Sequence, residues 1–263
     1  MHRSDKFYFN DVSESIVKKI HENCEMTSCR DLITEEILNQ YGFENVVMTG
    51  CPALNDLDSI GREFGQPKEL HRIVVTAAQN SIFHRQNANL MKSMKHAFPE
   101  SEFYCVFHRG IEHDEFTQKT EAKHLKKLKG YAEKLGYEIV DAAYDTSKIE
   151  FYRECDLHVG YRVHAHAFFL SIRKPTFLLQ EDGRGLGLSK TFELSDISVR
   201  DPTLSRIVTI PKIGRYFLNR GAVQEIVGNV RAEFLNGFPR FRDTSKILDS
   251  YYGVMVDFIK TLP

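Results

Sequence analysis

The sequence of 263 residues is long enough for one large domain or two small ones, and its 42% hydrophobic and 27% charged residues are ordinary for a globular protein. The formal net charge is -1 and the basic residues are scattered, which argues against a nucleic-acid-binding surface. The five cysteines form no paired framework and residues 1–9 contain no apolar signal segment, so we expect a cytoplasmic protein with reduced thiols.

The start of the chain, residues 1–54, predicts a small α/β segment. Its predicted elements are a helix over 12–21, an extended run over 25–29, a helix over 34–41 and a strand over 46–48. Residues 55–70 contain Gly61, Gly65 and Pro67 and show little periodicity, which indicates a linker.

Residues 71–190 alternate short apolar runs with helical patterns. The predicted strands cover 72–77, 103–107, 137–140, 157–159 and 176–179, and the predicted helices cover 85–97, 117–135, 148–155 and 162–172. This alternation predicts a parallel sheet covered on both faces by helices. Such a sheet binds its ligand at the carboxyl ends of its strands.

Residues 191–263 predict a C-terminal extension with two amphipathic helices, over 215–235 and 245–260. The apolar face of the second helix is wider than a helix on a solvated surface needs. We therefore expect it to pack against the small N-terminal segment. Part of residues 12–48 should remain exposed as apolar surface.

Two segments at the predicted carboxyl edge of the sheet carry candidate binding groups. Gly160 to His166 follows a strand and opens a helix, where backbone N–H groups favour an anion, and it contains Arg162 and His164. Glu181 to Gly187 follows the last strand and adds Arg184 among glycines. Alternatively, the histidine is a hydrogen-bonded core residue and the glycine-rich segment is a flexible turn.

A third segment, Cys29-Arg-Asp-Leu-Ile-Thr34, lies at a predicted helix start. Asp31 is expected to cap that helix, but capping gives no role to Arg30.

Two patterns suggest a metal without supporting one. Cys155, His158, His164 and His166 are zinc-ligand types, but positions two apart on a helix point about 200° apart. Asp56-Leu-Asp58 matches a common Asp-x-Asp spacing and falls in the predicted linker. We therefore predict no metal site.

In chain order, the Cys29–Thr34 segment, Thr49-Gly-Cys-Pro-Ala-Leu54, Gly160-Tyr-Arg-Val-His164 and Glu181-Asp-Gly-Arg184 resemble the motifs of the polysaccharide pyruvyl transferases. The resemblance covers about residues 12–190. It implies two Rossmann-like domains facing each other across a cleft, as in GT-B glycosyltransferases. Residues 71–190 would form the C-terminal Rossmann-like domain, and residues 1–54 a remnant of the N-terminal one. Family members carry several strands before the Arg-Asp motif, so this sequence is expected to lack most of that domain, either because it is a fragment or because a partner chain or a second copy completes it.

The resemblance also implies site residues. The family's essential arginine matches Arg30, its Arg-x-His pair matches Arg162 and His164, and its loop lysine falls at Arg184. We predict His164 and Arg30 as catalytic, and Arg162, Arg184, Gly160 and Gly183 as donor-binding. An arginine at the lysine position keeps the charge but cannot release a proton, so it serves as an anion-binding group.

The reaction implied by the resemblance moves the pyruvyl unit of phosphoenolpyruvate onto two hydroxyls of a sugar and requires no cofactor. The expected acceptor is a saccharide, free or carried on a lipid or polymer, and a lipid carrier would hold the protein at the membrane surface. Two alternatives stay open. The same arginines suit the diphosphate of a nucleotide sugar in a GT-B glycosyltransferase, and an incomplete chain suits an inactive binding module.

Overall fold

The computed structural model describes residues 8–199 and 218–262. The chain begins with a small α/β segment whose elements are α1 (Asp11–Glu22), β1 (Thr27–Cys29), α2 (Leu32–Gln40) and β2 (Val46–Met48). β1 and β2 pair in parallel, with Thr27 opposite Val46. Side chains cap both helices, since Asn10 accepts from the Ser13 N–H and Asp31 from the Thr34 N–H. All four predicted elements are confirmed, with boundaries shifted by at most two residues.

The main sheet has six parallel strands, which confirms the predicted parallel α/β architecture. They are β3 (Arg72–Thr76), β4 (Glu102–Phe107), β5 (Glu138–Asp141), β6 (Leu157–Gly160), β7 (Thr176–Gln180) and β8 (Ile197–Ser198). Their order across the sheet is β5-β4-β3-β6-β7-β8. This is the Rossmann order, and its direction reverses between β3 and β6, where a ligand crevice opens at the carboxyl ends of the strands.

Helices cover both faces of this sheet. They are α3 (His84–Ala97), α4 (Lys119–Lys134), α5 (Val163–Ser171), α6 (Gly183–Thr191), α7 (Ala222–Leu235) and α8 (Thr244–Lys260). The central strands are apolar on both faces, and Ile73, Val74 and Val75 are completely buried. Two apolar clusters, one on each face, form the core.

Three sequence-based predictions differ from the structure. Residues 148–155 were expected as a short helix, and Thr146–Glu154 is helical but of the 3₁₀ type, closing with a hydrogen bond from Cys155 N–H to the Tyr152 carbonyl. The glycine-rich segment read as a turn opens α6, because Asp182 accepts the Arg184 N–H and caps the helix. The first C-terminal helix begins at Ala222 rather than 215, since the Asn219 side chain accepts the Gly221 N–H and turns the chain; residues 215–217 lie outside the described residues.

Helix α8 connects the two parts of the molecule. Toward the N-terminal segment, Tyr251 lies against Gly50 and the Met255 sulfur is 3.3 Å from Asn55 Nδ2. Toward the main domain, Asp249 pairs with the buried Arg173 at 2.6 Å. The predicted packing of this helix against the N-terminal segment is confirmed, and the helix also contacts the main domain.

One face of α1 remains uncovered among the described residues. Val12, Ile16 and Ile20, one helical turn apart, are 70%, 56% and 50% exposed, and Met26 nearby is 40% exposed. The prediction of exposed apolar residues between 12 and 48 is therefore confirmed. No helix of the described chain combines the length and apolar character needed to cross a bilayer.

Candidate functional site

The turn after β6 is built around the Thr76 hydroxyl at the end of β3. Its oxygen accepts the backbone N–H groups of Tyr161 and Arg162 at 3.1 and 3.2 Å. Gly160 makes this approach possible, because a Cβ there would lie 2.3 Å from the Thr76 hydroxyl oxygen. The predicted Gly160 thus serves the site by allowing β6 to lie directly against β3.

Arg162 is the N-cap residue of α5, at the switch point of the sheet. Its Nε is buried and has no hydrogen-bond partner among the described residues. Burial lowers the pKa of Arg162; Glu181 opposes this shift, whereas Arg184 and Arg109 add to it. A guanidinium remains charged despite such a shift, so Arg162 presents an uncompensated N–H donor beside the start of a helix.

His164 lies in the first turn of α5 and is exposed at the rim of the sheet. Partial burial of its ring lowers its pKa, and the positive charges of Arg162, Arg184 and Arg30 lower it further. The charges of the three predicted arginines therefore act on one imidazole, that of the predicted His164.

Arg184 and Gly183 form the first turn of α6, and both are exposed. The Arg184 guanidinium turns back onto Asp182, with Nη2 2.7 Å and Nε 3.1 Å from Oδ2. This pairing holds Arg184 in the site and leaves its Nη1 outside the pair. An anion bound here would share the guanidinium with Asp182.

Arg30 comes from the N-terminal segment and reaches the site because α2 docks on α6. Gly187 of α6 lies so close to Asp31 that a Cβ would be 2.6 Å from the carboxyl carbon. The Leu32 N–H donates to the Thr191 hydroxyl at 3.0 Å, which adds a second link. Asp31 is nearly fully buried and accepts from Arg30 Nε at 3.1 Å, so it caps α2 and orients the arginine at once.

Sequence reasoning missed His108, the first residue after β4. Burial lowers its pKa to about 3, with further contributions from Arg162 and His164. Its Nε2 lies 2.8 Å from the buried Tyr152 hydroxyl. His108 is thus a second site histidine that stays neutral, and its position directly after a parallel strand was the available signal.

His158 and His166, the two other histidines of the zinc-like pattern, belong to a buried chain of hydrogen bonds below the site. Both lone pairs of the Thr76 hydroxyl accept backbone N–H groups, so its proton points to His158 Nε2, 3.0 Å away. His158 Nδ1 then donates to the Thr176 hydroxyl at 2.8 Å, and this hydroxyl also lies 2.8 Å from His166 Nδ1. Burial likewise keeps the pKa of His158 well below its usual value.

Beyond His166 lies the fully buried Asp196 carboxylate, within ion-pair distance of His166 Nε2 at 3.4 Å and of Arg240 at 3.3 Å. Burial opposes the ionisation of Asp196, but His166 and Arg240 outweigh it and lower its pKa to about 2. His166 is completely buried and His164 is exposed, which confirms that they face apart. Across residues 8–199 and 218–262, no three His, Cys, Asp or Glu side chains are grouped to hold a metal ion.

The second metal-like pattern also has a structural role. Asp56 receives Arg153 Nη2 at 2.7 Å and the Ser59 hydroxyl at 2.6 Å. The Arg153 contact ties residues 55–70 to the main domain on the segment that precedes the start of β6, and the Ser59 contact lies within residues 55–70.

Comparison with solved structures found similar folds in larger proteins. S. aureus TarM, crystallised with fondaparinux, alpha-GlcNAc-glycerol and UDP, aligns over 99% of this chain and 49% of its own, with 12% identity and a TM-score of 0.46. The wall teichoic acid polymerase TagF aligns over 97% of this chain and 64% of its own, with 12% identity and a TM-score of 0.35. The chain thus spans about half the length of the first and under two thirds of the second.

Comparison with curated protein sequences found no significant match. A family model, in contrast, matches residues 5–183 and is that of the polysaccharide pyruvyl transferases. The match covers the Arg-Asp motif, the Arg-x-His motif and the first residue of α6. Because it spans more than half of the chain, the protein belongs to the polysaccharide pyruvyl transferase family.

Proposed function

We propose that this chain transfers the pyruvyl unit of phosphoenolpyruvate to two hydroxyls of a saccharide, forming a pyruvate ketal and releasing phosphate. The observation that supports the proposal is the placement of Arg162 and His164 at the start of α5, of Arg184 at the start of α6 and of Arg30 on the segment docked against α6. All three arginines act electrostatically on His164. Three guanidinium groups can bind the phosphate and the carboxylate of the donor. The histidine can protonate the methylene carbon of the donor's enol group.

Donor binding uses the groups that are already oriented. Arg162 offers its unpartnered Nε beside the start of α5, and the helix dipole there favours negative charge. Arg184 approaches from α6 and Arg30 from the opposite segment, so the donor lies between the two parts of the chain. Binding across this cleft fixes the enol carbon near His164.

The protonated His164 gives its proton to the methylene carbon of phosphoenolpyruvate. This makes the methyl group and leaves an oxocarbenium centre at C2, which the first sugar hydroxyl attacks while His164 takes up that hydroxyl's proton. The C–O bond to phosphate then breaks, and the second hydroxyl attacks the new oxocarbenium centre. Its proton leaves with the phosphate, so one donor and one diol give one ketal and one phosphate.

The lowered pKa of His164 sets a condition on this scheme. In the free site, partial burial of the ring and then the three arginines favour the neutral imidazole. A bound phosphate and carboxylate offset those positive charges, so donor binding raises the pKa and supplies the acid. Donor binding itself therefore produces the protonated form of His164 that the reaction needs.

The test is product release with purified protein, phosphoenolpyruvate and a panel of saccharides. The proposal predicts inorganic phosphate and a ketal-linked methyl signal in the NMR spectrum of the product. His164→Ala should lower phosphate release by about 10²- to 10⁴-fold with an unchanged circular dichroism spectrum. His71→Ala, an exposed histidine at the opposite end of β3, is the matched control and should retain full turnover.

Three results would contradict the proposal or the role of His164 in it. Release of a nucleoside diphosphate from a nucleotide sugar would identify a glycosyltransferase instead. Near-normal turnover of the His164→Ala variant would remove His164 from the mechanism. A folded chain that releases neither product would support the binding-module alternative.

A further inference from the structure

We propose that Phe116 and Tyr144 form a stacking platform for the sugar ring of the acceptor, beside the anion site. The inference rests on the proposed function, because it assigns the acceptor half of the same site. The ligand class is a neutral pyranose with one apolar C–H face.

The two rings form an exposed aromatic surface. Phe116 is 57% and Tyr144 is 68% exposed, and their ring centroids lie 5.7 Å apart at an interplanar angle of 39°. The two adjacent exposed rings form a contiguous apolar surface of the kind that binds ligands.

The platform is held in place by Asp114. Its carboxylate accepts the N–H groups of Phe116 and Thr117 at 2.8 and 2.7 Å and the Tyr144 hydroxyl at 2.9 Å. Tyr144 also has a φ of 60°, a left-handed conformation that is unfavourable for a bulky residue. Because Tyr144 is held in this conformation and Asp114 hydrogen-bonds to both loops, the two rings form a preorganised surface.

The platform adjoins the anion site through Arg109 and Gly110. Its two loops follow β4 and β5, at the edge of the sheet where Arg162 lies. A Cβ at Gly110 would be 3.9 Å from the Tyr144 ring, and the Arg109 carbonyl accepts the Thr117 hydroxyl at 3.1 Å. Arg109 in turn is close enough to Arg162 to lower its pKa. A molecule on the platform therefore lies on the same carboxyl edge of the sheet as the donor site.

The chemistry favours a saccharide over other flat ligands. The C–H groups on one face of a pyranose carry partial positive charge, and an aromatic ring presents a negative face. The Asp114 carboxylate is a strong acceptor for sugar hydroxyls at the edge of the rings. The carboxylates of Asp114, Glu115 and Asp145 lie around the rings together with the cations Arg109 and Lys148, so the surroundings are of mixed charge and suit a neutral ligand better than a nucleotide with several phosphate charges.

The experiment measures contact between the protein and small sugars. Methyl glycosides of galactose, glucose, mannose and N-acetylglucosamine are screened by saturation-transfer NMR, and the strongest binder is titrated. Saturation should concentrate on ring C–H protons of one face. Phe116→Leu and Tyr144→Leu should each raise the Kd of the titrated glycoside about 3- to 10-fold, because leucine keeps apolar area but lacks the aromatic face.

Three controls make the result specific. Phe116→Tyr should bind like the wild type, and Tyr144→Phe should keep most of the affinity because it loses only the bond to Asp114. Tyr8→Leu removes an equally exposed aromatic ring in the N-terminal segment and should have no effect. None of these side chains is in the core, so folded variants are expected.

Unchanged affinity in both leucine variants would overturn the proposal, as would the absence of binding by every glycoside. Uridine diphosphate that binds with its base on these rings would overturn it in favour of a nucleotide. Failure of the pyruvyl-transfer proposal is separable, because phosphoenolpyruvate would then release no phosphate while the aromatic-dependent sugar binding persisted.

Discussion

Replacing Thr76 with valine tests whether the buried hydroxyl at the end of β3 organises the anion site. Valine has nearly the same shape, but it cannot accept the N–H groups of Tyr161 and Arg162 or donate to His158. Thr76 is completely buried, so water cannot replace these bonds. The change leaves three buried polar groups without a partner.

The expected loss of stability follows from those three groups. A buried polar group left unpaired costs about 1–3 kcal/mol, so Thr76→Val should lower the free energy of unfolding by at least about 3 kcal/mol. Thr76→Ser keeps the hydroxyl and loses one buried methyl group, which costs about 1 kcal/mol. The serine variant is therefore the matched control.

Urea unfolding followed by far-ultraviolet circular dichroism measures both variants, since the chain contains no tryptophan for fluorescence. The same proteins should differ in function, because only the valine variant releases the Arg162 backbone and weakens phosphoenolpyruvate binding. A valine variant within about 1 kcal/mol of the wild type, with normal donor affinity, would refute the reasoning.

Arg184→Lys should raise the KM for phosphoenolpyruvate slightly and Arg184→Ala should raise it strongly, because only lysine retains the positive charge. An equal rise in both variants would show that the two N–H groups of the guanidinium are required. His164 should take up a proton when phosphoenolpyruvate binds at a pH between its lowered pKa in the free protein and its raised pKa in the complex. The affinity for phosphoenolpyruvate should therefore fall as the pH rises toward and through the pKa in the complex. Calorimetry in buffers of different ionisation enthalpy measures this uptake, and its persistence in His164→Ala would assign it elsewhere. Gly160→Ala should abolish or severely impair folding, since its Cβ would lie 2.3 Å from the Thr76 oxygen, whereas Gly228→Ala in α7 meets no neighbour within 4 Å and should be neutral or stabilising in thermal unfolding.

Much of the architecture follows from local pattern. Strands such as Arg72–Thr76 are apolar on both faces, which is typical of a parallel sheet between helix layers. Alternation with helices sets the direction of every strand, and so the residue after a strand lies at the binding edge. Arg162, His164 and Arg184 were predicted on that basis together with the family motif, and their location at this edge is confirmed.

Elements whose local signals are weak were missed. α6 starts with three glycines in five residues, which disfavour a helix on propensity, yet Asp182 caps it and Leu188 is buried in the core. β8 has only two residues and joins the sheet because β7 offers an unpaired edge. Tertiary context overrode local preference in both cases.

The sequence by itself determined the class of fold, the edge of the sheet that binds, and the residue types gathered there, because these depend on period and order along the chain. Only the tertiary structure decided that Arg30 faces His164, since this requires Gly187 to lie against Asp31 across two separate segments. It also decided that His158 and His166 support the site from below while His108 enters it. The position of His108 directly after a strand indicates only the edge of the sheet on which it lies, because its contacts, like those of Arg30, His158 and His166, depend on packing between distant residues.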